Sequence, residues 1–458
     1  MLDERVGAVV GNTSHADTRG YLWAKSRRPL TFVRHDACAM NVLDQVPPPS
    51  TRRLAVRVTK DAVRQIQGGH PWVFDGSVVS VSHDGAPGDL AVIFDADREF
   101  VAIGLYDPES PIRVRVLHQG KPANINPAWW LQCVDNAIDK RRVITARGDT
   151  TAYRLIHGEN DAMSGLVVDR YGSTLVIKLY STAWLPHLSA IVAALQKRMS
   201  PTAVILRFSR DVAGQETFGL REGSALVGEL PSSPILFRES GLTFEADVVL
   251  GQKTGHFLDQ RENRARVRGL SRDARVLDMF SSTGGFSVYA AAGAAKSVIS
   301  VDISAGSIEA ALRNMQHNMV IPNVQKCEHS TMVGDAFEIM GTMSKQHRRF
   351  DVVIIDPPSF AHRKADVDRA LNAYKRLTKL ALELLDDGGL LVQSSCSSRV
   401  SDVEFFGAVH LAAESSRHRI SEVARTGHGV DHPIEFAEGA YLKTIFARAH
   451  KRAEFARR

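Results

Sequence analysis

The stretch VVIIDPPSFAHRK, from Val352 to Lys364, places an acid and two prolines directly after four aliphatic residues. The aliphatic run predicts a central strand of a parallel sheet, because such strands are buried on both faces. Pro357 and Pro358 lack the amide hydrogen that a strand ladder needs, so the strand should end near Asp356. Open α/β sheets bind ligands beyond the carboxyl ends of their strands. We therefore expect Asp356 to face a ligand, although a turn with a solvated acid would look the same locally.

Strand-like and helix-like segments alternate over the carboxyl-terminal part of the chain. This alternation produces right-handed βαβ units and predicts an α/β domain with a doubly wound, mostly parallel, Rossmann-like sheet. The terminal run YLKTIFARA should add an edge strand. The four main strand-like runs are ARVLDMF at 274–280, KSVISVDI at 296–303, FDVVIID at 350–356 and GGLLVQSS at 388–395.

Two other patterns precede this domain. Short alternating strands separated by Gly, Pro and Asp predict a small β-rich barrel over 51–122. A helical run and two apolar strands predict an α+β middle module over 123–245, which leaves 246–458 for the Rossmann-like domain. Residues 1–50 should be a poorly ordered extension, because they show little periodicity and end in the proline run VPPPS. Translation beginning at Met40 would omit most of that extension.

The composition is that of an ordinary globular protein. Hydrophobic residues make up 44%, charged residues 24%, and the formal net charge of +6 permits a polyanionic partner without establishing one. The four cysteines are scattered without a CxxC pair, which argues against structural zinc and favours a reducing cytoplasm. No apolar run approaches the roughly 18 residues of a membrane span, so we expect neither a membrane nor a metal partner. The oligomeric state is left open, a homodimer included.

An acidic residue follows each early strand of the predicted Rossmann-like domain. Asp278 precedes the turn SSTGG, whose two glycines allow backbone to approach a ligand closely. Asp302 ends the second strand, where an acid can accept hydrogen bonds from ribose hydroxyls. Asp335 follows the third strand, where it would meet an adenine amino group. Each acid alone also suits a helix cap, but the series that continues to Asp356 resembles the layout of class I S-adenosylmethionine-dependent methyltransferases.

Five sequence blocks lie in order along the chain: GQKTGHFLDQREN at 251–263, DMFSSTGGFS at 278–287, VDIS at 301–304, DPPSF at 356–360 and SSCS at 394–397. They resemble the corresponding blocks of the bacterial 23S rRNA cytosine-5 methyltransferases that carry an amino-terminal PUA RNA-binding domain. With QGGHPWVFDGSV in the β-rich segment, the resemblance extends over roughly 54–450 and the blocks lie in the expected order. It implies S-adenosylmethionine as methyl donor and 23S rRNA as substrate.

The resemblance also implies functions for individual residues. Residues after the first three strands would bind the methyl donor, namely Asp278, Ser281, Thr283, Gly284, Gly285, Asp302 and Asp335. Residues of two other turns would contact the target base or lie near the methionine end of the donor, namely Gln252, Lys253, Thr254, Pro357, Pro358 and Phe360. Phe360 suits a plain core position equally well.

Methylation of cytosine carbon 5 needs a covalent nucleophile, because carbon 5 itself is poorly nucleophilic. A thiolate that adds to carbon 6 makes carbon 5 reactive toward a sulfonium methyl, and loss of the carbon 5 proton then releases the enzyme. Cys396 follows the strand expected beside that of Asp356, so both groups should face one crevice. Asp356 would hydrogen-bond the pyrimidine N3 or amino edge, and Phe360 would pack against the flipped base. A small buried residue without chemistry is the alternative for Cys396.

Two other functions fit the same motifs. DPPSF also suits a methyltransferase that acts on an exocyclic amine of adenine or guanine, which requires no cysteine. An RNA-binding ribosome assembly factor with a vestigial donor pocket would keep the same fold. Basic residues in the β-rich segment favour RNA as the partner, although solvated surface charge is the simpler explanation for some of them. They are Arg52, Arg53, Arg57, Lys60, Arg64, Arg113 and Arg115.

Overall fold

The computed structural model describes residues 42–451 except 252, 362 and 417. Most of the expected amino-terminal extension and the substrate candidate Gln252 therefore lie outside the described residues. Leu43 belongs to the predicted extension, residues 1–50, but it is buried in a core that it shares with the middle module. Among the described residues, no helix combines the length and the apolar character needed to cross a membrane.

The amino-terminal sheet has six strands and one helix, which are β1 (Leu54–Val58), α1 (Lys60–Gln67), β2 (Trp72–Phe74), β3 (Val78–Val81), β4 (Leu90–Phe94), β5 (Phe100–Tyr106) and β6 (Ile112–Gln119). The strand order is β2-β6-β5-β4-β1-β3, and only the pair of β1 with β4 is parallel. Thr59 caps α1 by accepting a hydrogen bond from the amide of Ala62. Ile66 of α1 is buried in the core of this sheet.

The middle module has five strands and four helices, which are α2 (Pro127–Lys140), α3 (Arg142–Thr145), β7 (Ala152–His157), β8 (Leu166–Tyr171), β9 (Thr174–Leu179), α4 (Leu188–Met199), β10 (Ala203–Phe208), α5 (Arg210–Ala213) and β11 (Ala225–Val227). Its strand order is β11-β10-β9-β8-β7. Trp130 of α2 and the fully buried Trp184 pack edge to face, with ring centroids 5.6 Å apart. These rings belong to the apolar core of this module.

A hairpin of β12 (Ile235–Glu239) and β13 (Leu242–Ala246) connects the middle module to the last domain. Two asparagines of the last domain form hydrogen bonds with the free edge of β13. Asn314 lies in the helix Ala305–His317, and Asn318 directly follows that helix. The Asn314 side-chain oxygen accepts from the amide of Glu245 at 2.8 Å, and that of Asn318 accepts from Thr243 at 2.9 Å. The hairpin edge is therefore covered instead of being left open to another chain.

The last domain is a seven-stranded sheet with helices on both faces. Its elements are α6 (Arg261–Leu270), β14 (Arg275–Met279), α7 (Gly285–Ala292), β15 (Ser297–Asp302), α8 (Ala305–His317), α9 (Pro322–Lys326), β16 (Glu328–Val333), α10 (Ala336–Lys345), β17 (Phe350–Ile355), α11 (Val367–Leu384), β18 (Leu385–Ser395), α12 (Asp402–Glu414), β19 (His418–Thr426) and β20 (Lys443–Lys451). The order is β16-β15-β14-β17-β18-β20-β19, with parallel pairing from β16 to β18. The predicted doubly wound α/β sheet is confirmed.

One predicted strand position was wrong. YLKTIFARA was expected at the sheet edge, but β20 pairs with β18 on one side and with β19 on the other. β19 occupies the edge, and none of its residues is fully buried. Its sequence HRISEVART is too polar to resemble a core strand, which is why the sequence pattern did not reveal it.

A buried ion pair joins the hairpin to the last domain. The Arg264 guanidinium donates to the two carboxylate oxygens of Glu239 at 2.9 and 2.8 Å, and both side chains are inaccessible to solvent. The hydroxyl of Tyr289 donates to the Glu239 carbonyl oxygen at 3.2 Å. A pair of this kind tolerates removal of one partner poorly, because the other charge stays buried without compensation.

We expect Glu239→Gln to destabilise the protein by about 3 kcal/mol, since it leaves the Arg264 charge unpaired in the interior. The measurement is the midpoint of urea unfolding followed by tryptophan fluorescence. Asp139→Asn, which breaks the solvent-exposed pair of Asp139 with Arg142, is the matched control and should leave the midpoint nearly unchanged. Equal midpoints for the two variants would contradict the stabilising role of the buried pair.

Candidate active site

The candidate site lies where the seven-stranded sheet reverses its strand order, between β14 and β17. Asp278 lies within β14 near its carboxyl end, and Asp302 ends β15. Asp356 and Cys396 directly follow β17 and β18. Because these four strands are parallel neighbours, the structure brings the four predicted residues to the same edge of the sheet.

The turn after β14 is held against β15 and α8. The amide of Ser281 donates to the carbonyl oxygen of Val301 at 2.9 Å, and that of Ser282 donates to the Asp302 carboxylate at 2.9 Å. The side-chain amide of Asn314 donates to the carbonyl oxygen of Thr283 at 2.8 Å. Asp302 therefore also shapes the turn that it adjoins.

Gly284 is required where this turn enters α7. Its φ is +76°, and a Cβ atom there would lie 2.8 Å from the Cβ of Ala311 in α8. A side chain would thus meet both backbone strain and a steric clash. The close approach brings the amino terminus of α7, which begins with Gly285, against α8.

Two buried polar atoms beside this turn have no hydrogen-bond partner among the described residues. One carboxylate oxygen of Asp278 accepts from the hydroxyl of Ser287 at 2.6 Å, but its second oxygen has no partner, and neither has the hydroxyl oxygen of Ser281. Burial raises the pKa of Asp278 to about 7. Buried polar atoms are rarely left unsatisfied, so this turn fits a ligand with polar groups, as the ammonium and hydroxyl groups of S-adenosylmethionine are.

Asp335 has a different setting from the other acids. It is exposed, and one of its carboxylate oxygens accepts from the amides of Phe337 and Glu338 at 2.9 and 3.1 Å. These bonds make it the amino-terminal cap of α10, the alternative that the sequence left open for each acid. The exposed carboxylate still follows β16, as predicted.

Gln260, which the sequence interpretation did not single out, connects the two strand ends on the other side of the crevice. Its side-chain amide nitrogen donates to the Asp356 carboxylate at 2.8 Å and lies 3.3 Å from the hydroxyl of Ser394. Asn263, one helical turn later, donates to the Gln260 side-chain oxygen at 2.6 Å and fixes its orientation. The signal in the sequence was the Gln–Asn pair at i, i+3 spacing in LDQREN, which places both side chains on one face.

The sulfur of Cys396 lies against the DPPSF turn. The thiol donates to the carbonyl oxygen of Pro357 at 3.7 Å, and the residue keeps part of its surface exposed. Burial raises the pKa of Cys396 to about 11, and Lys253 acts in the opposite direction. Burial, with a contribution from Asp259, raises the pKa of Asp356 to about 7. A carboxyl with this pKa can both accept and donate a proton near neutral pH.

The remaining substrate candidates differ in their surroundings. Lys253 is exposed and forms an ion pair with Asp259 at 3.2 Å. Thr254 is buried, and its hydroxyl donates to Asp169 of β8, so its polar group is already engaged in the middle module. Phe360 is half-buried, and its ring centroid lies 5.3 Å from that of Tyr374. Pro357 is buried and Pro358 exposed.

One of the predicted RNA contacts was wrong. Arg115 is only 5% exposed and lies 3.9 Å from Glu159 of the middle module, so it does not face solvent. Arg113 donates to Asp75 and is mostly buried as well. The alternation along β6 was correct, but the middle module covers Arg115. The other five basic residues, Arg52, Arg53, Arg57, Lys60 and Arg64, are exposed.

A family model described as a PUA-like domain matches residues 56–119, and one described as an S-adenosylmethionine-dependent methyltransferase matches residues 153–432. The second match spans more than half of the chain. The chain belongs to the S-adenosylmethionine-dependent methyltransferase family. The methyl donor of this methyltransferase is S-adenosylmethionine, as predicted. In the part of the chain that the structure describes, no three His, Cys, Asp or Glu side chains are grouped to hold a metal ion.

Relatives of this methyltransferase match it over almost their full length. A ribosomal RNA large subunit methyltransferase of Deinococcus radiodurans is 46% identical over 405 residues, which cover 87% of this chain and 98% of the relative. The ribosomal RNA large subunit methyltransferase I of Vibrio campbellii is 34% identical over 392 residues, with 85% and 98% covered.

Solved structures confirm the expected class I methyltransferase fold. A methyltransferase complexed with SAH is 22% identical and superposes with a TM-score of 0.74, covering 86% of this chain and 99% of its own. A SAM-dependent methyltransferase from Streptococcus mutans gives a TM-score of 0.73 with the same identity and coverage.

We expect Asp302→Ala to weaken S-adenosylmethionine binding at least about tenfold, because charge-assisted hydrogen bonds from a ribose and from the Ser282 amide would be lost. Isothermal titration of the purified protein measures the dissociation constant. Glu309→Ala, which removes an exposed acid of α8, is the control and should bind normally. Unchanged affinity of the Asp302 variant would contradict the assignment, and no binding by the wild type would favour the assembly-factor alternative.

Asp278 and Asp356 should each contribute stability to the ligand-free protein that is lost as the pH rises from about 4 to about 7, whereas partly buried histidines with lowered pKa values, such as His329 and His428, act in the opposite direction. Asp278 and Asp356 have raised pKa values in the folded state, so the folded chain keeps protons that the unfolded chain releases in this window. Each carboxyl contributes at most about 1.4 kcal/mol per pH unit. Urea unfolding of the wild type and of Asp356→Asn across this pH range measures this contribution, because the slope of stability against pH should be more positive in the variant. A slope identical to that of the wild type would contradict the raised pKa of Asp356.

Proposed function

We propose that this methyltransferase forms 5-methylcytosine in large-subunit (23S) ribosomal RNA through a covalent adduct between Cys396 and carbon 6 of the base. The observation that carries the proposal is the contact of the Cys396 sulfur with the turn that bears Asp356, at 3.7 Å from the Pro357 oxygen. A nucleophile and a carboxylate from neighbouring strand ends are the two groups that this chemistry needs.

Ribosomal RNA is supported as the substrate by two independent features. The two relatives described above are named as ribosomal RNA large subunit methyltransferases, and the chain covers 98% of each. The PUA-like match at residues 56–119 lies beside exposed arginines and lysines, which suit contacts with phosphates. A large folded RNA is a partner that uses such an appended domain while one base is extruded into the crevice.

The covalent step uses Cys396 and Asp356 together. The thiol proton passes to the Asp356 carboxylate, the thiolate forms a bond to carbon 6, and the Asp356 proton moves to N3 as the π electrons shift toward carbon 5. S-adenosylmethionine, when bound, supplies the electrophilic methyl group for carbon 5. The carbon 5 proton then leaves to solvent, the bond between sulfur and carbon 6 breaks, and the electron pair returns to Cys396 as thiolate. The N3 proton finally passes back through Asp356 to the sulfur, which restores the thiol and the carboxylate.

Gln260 and the two prolines orient the carboxylate in this scheme. The side-chain amide of Gln260 donates to one oxygen of Asp356 and leaves the other for the base. Asn263 holds the Gln260 amide so that nitrogen, and not oxygen, faces Asp356. The donor side of the crevice uses Asp278, Asp302 and the Ser281–Gly285 turn to bind S-adenosylmethionine.

Methylation of an exocyclic amine of a purine is the second candidate. The observation that favours it is the environment of Cys396, since burial raises its thiol pKa to about 11 and disfavours the reactive thiolate in the ligand-free protein. In that case DPPSF would bind the amino group of adenine or guanine, and Cys396 would only fill space.

Replacing the thiol distinguishes the two chemistries. Cys396→Ser should lower the rate of 5-methylcytosine formation at least about 10³-fold, because a hydroxyl is a far weaker nucleophile. The substrate is rRNA from cells that lack the protein. Mass spectrometry of its nucleosides identifies the methylated product, and primer mapping locates the modified nucleotide. Cys327→Ser, which changes another partly exposed cysteine, should leave the rate unchanged.

An RNA that contains 5-fluorocytosine should trap the wild-type protein covalently, since the fluorine cannot leave as a proton does. Methylated adenine or guanine from both the wild type and Cys396→Ser would instead establish the second candidate. Formation of 5-methylcytosine by Cys396→Ser at the wild-type rate would contradict the covalent mechanism.

A further inference from the structure

The middle module holds Gly251 and Thr254, which lie on either side of Lys253 in the chain, through two sets of contacts. The guanidinium of Arg207 in β10 donates to the carbonyl oxygens of Val248 and Gly251 at 3.0 and 3.1 Å. The hydroxyl of Thr254 donates to Asp169 of β8. Lys253 lies in the chain between these two anchored residues, so the contacts position its backbone.

The backbone on both sides of Lys253 favours glycine. Lys253 has a φ of +53°, which L-residues other than glycine adopt rarely. Gly255 has a φ of +131°, and a Cβ atom at Gly251 would lie 2.1 Å from the carbonyl oxygen of Asp247. A strained lysine between two required glycines costs free energy, which is typical of functional positions.

The Lys253 ammonium is directed by a second set of contacts. It lies 3.2 Å from the carboxylate of Asp259 and 4.3 Å from the ring centroid of Phe257. Asp259 is itself buried and accepts from the hydroxyl of Tyr441 at 2.9 Å. The Lys253 side chain as a whole is 41% exposed.

Asp259 and Gln260 are consecutive residues that connect Lys253 to the crevice. Asp259 pairs with Lys253, whereas Gln260 donates to Asp356, whose following residue contacts Cys396. The ammonium is therefore held beside the same crevice as the thiol.

We propose that Lys253 stabilises the thiolate of Cys396 by its positive charge, and that the middle module serves to hold this charge in place. The proposal rests on the proposed cysteine chemistry and adds a residue that acts through Cys396. The thiol proton still passes to Asp356 and the sulfur still forms the bond to carbon 6. Lys253 neither gains nor loses a proton in this step.

The other charged or titratable groups that interact with Cys396 among the described residues include three acids and one further cation. Asp356 and Asp259 oppose the thiolate, and Tyr374 is an acid whose own pKa is raised by burial. Lys443 is the further cation, and its charge also interacts with Cys396, although its ammonium donates to the carbonyl oxygens of Ser397 and Val400. Of the charged groups that lower the pKa of the Cys396 thiol, Lys253 has the largest effect.

The test is the reactivity of Cys396 toward iodoacetamide in the full-length protein without RNA. Peptide mass spectrometry follows Cys396 separately from the other cysteines across a pH series. Lys253→Met should shift the alkylation profile about one pH unit upward, which is about a tenfold slower reaction below the midpoint. Lys253→Arg keeps the charge and should stay close to the wild type.

Three controls make the result specific. Alkylation of Cys327 should not change in any variant. Lys197→Met removes an exposed lysine of α4 and should leave the Cys396 profile unchanged. The midpoint of urea unfolding verifies folding, and Lys253→Gln, a less apolar neutral variant, replaces the Met variant if the midpoint of the latter falls far below that of the wild type.

An unchanged alkylation profile of Cys396 in the neutral Lys253 variant would overturn the proposal. Equal slowing of alkylation in Lys253→Met and Lys253→Arg would also overturn it, because the charge would then not be the cause. This readout needs neither RNA nor methyl transfer. Persistent 5-methylcytosine formation by Cys396→Ser would therefore refute the proposed function separately, whatever the alkylation profile shows.

Discussion

Parallel pairing of β17 with both β14 and β18 is the constraint on which the rest of the structure depends. The ladder aligns three strands whose carboxyl ends carry Asp278, Asp356 and Cys396, which are far apart in the chain. Because all three strands are almost completely buried, their register cannot slip without exposing core residues. The crevice is thus a consequence of strand order and not of any local motif.

The segment 253–264 completes the crevice because it is held by the middle module, the hairpin and the last domain. Its contacts include Thr254 with Asp169, Gln260 with Asp356, and Arg264 with Glu239. Buried polar contacts of this kind add little net stability over apolar packing, but an unsatisfied member is costly. They therefore select one arrangement of the middle module relative to the sheet, which a smooth apolar interface would not do.

Long-range polar contacts account for what the sequence interpretation missed. Gln260 stood inside a quoted motif, but only its distance to Asp356 reveals what it orients. Arg115 was expected at the surface, because alternation along a strand cannot show that another module covers that face. The edge strand His418–Thr426 was missed because exposed edges carry polar residues that resemble a loop.

The sequence by itself determined the doubly wound α/β class, the bounds of its central strands within a few residues, and the acids at their ends. These features depend on local periodicity and on prolines and glycines, whose effects act over a few residues. Only the tertiary structure decided which polar side chains meet, that Thr254 is engaged by Asp169, and that Lys253 and Asp356 share one crevice. These side-chain contacts depend on how separate modules pack, and no local pattern in a chain encodes the contacts between distant segments.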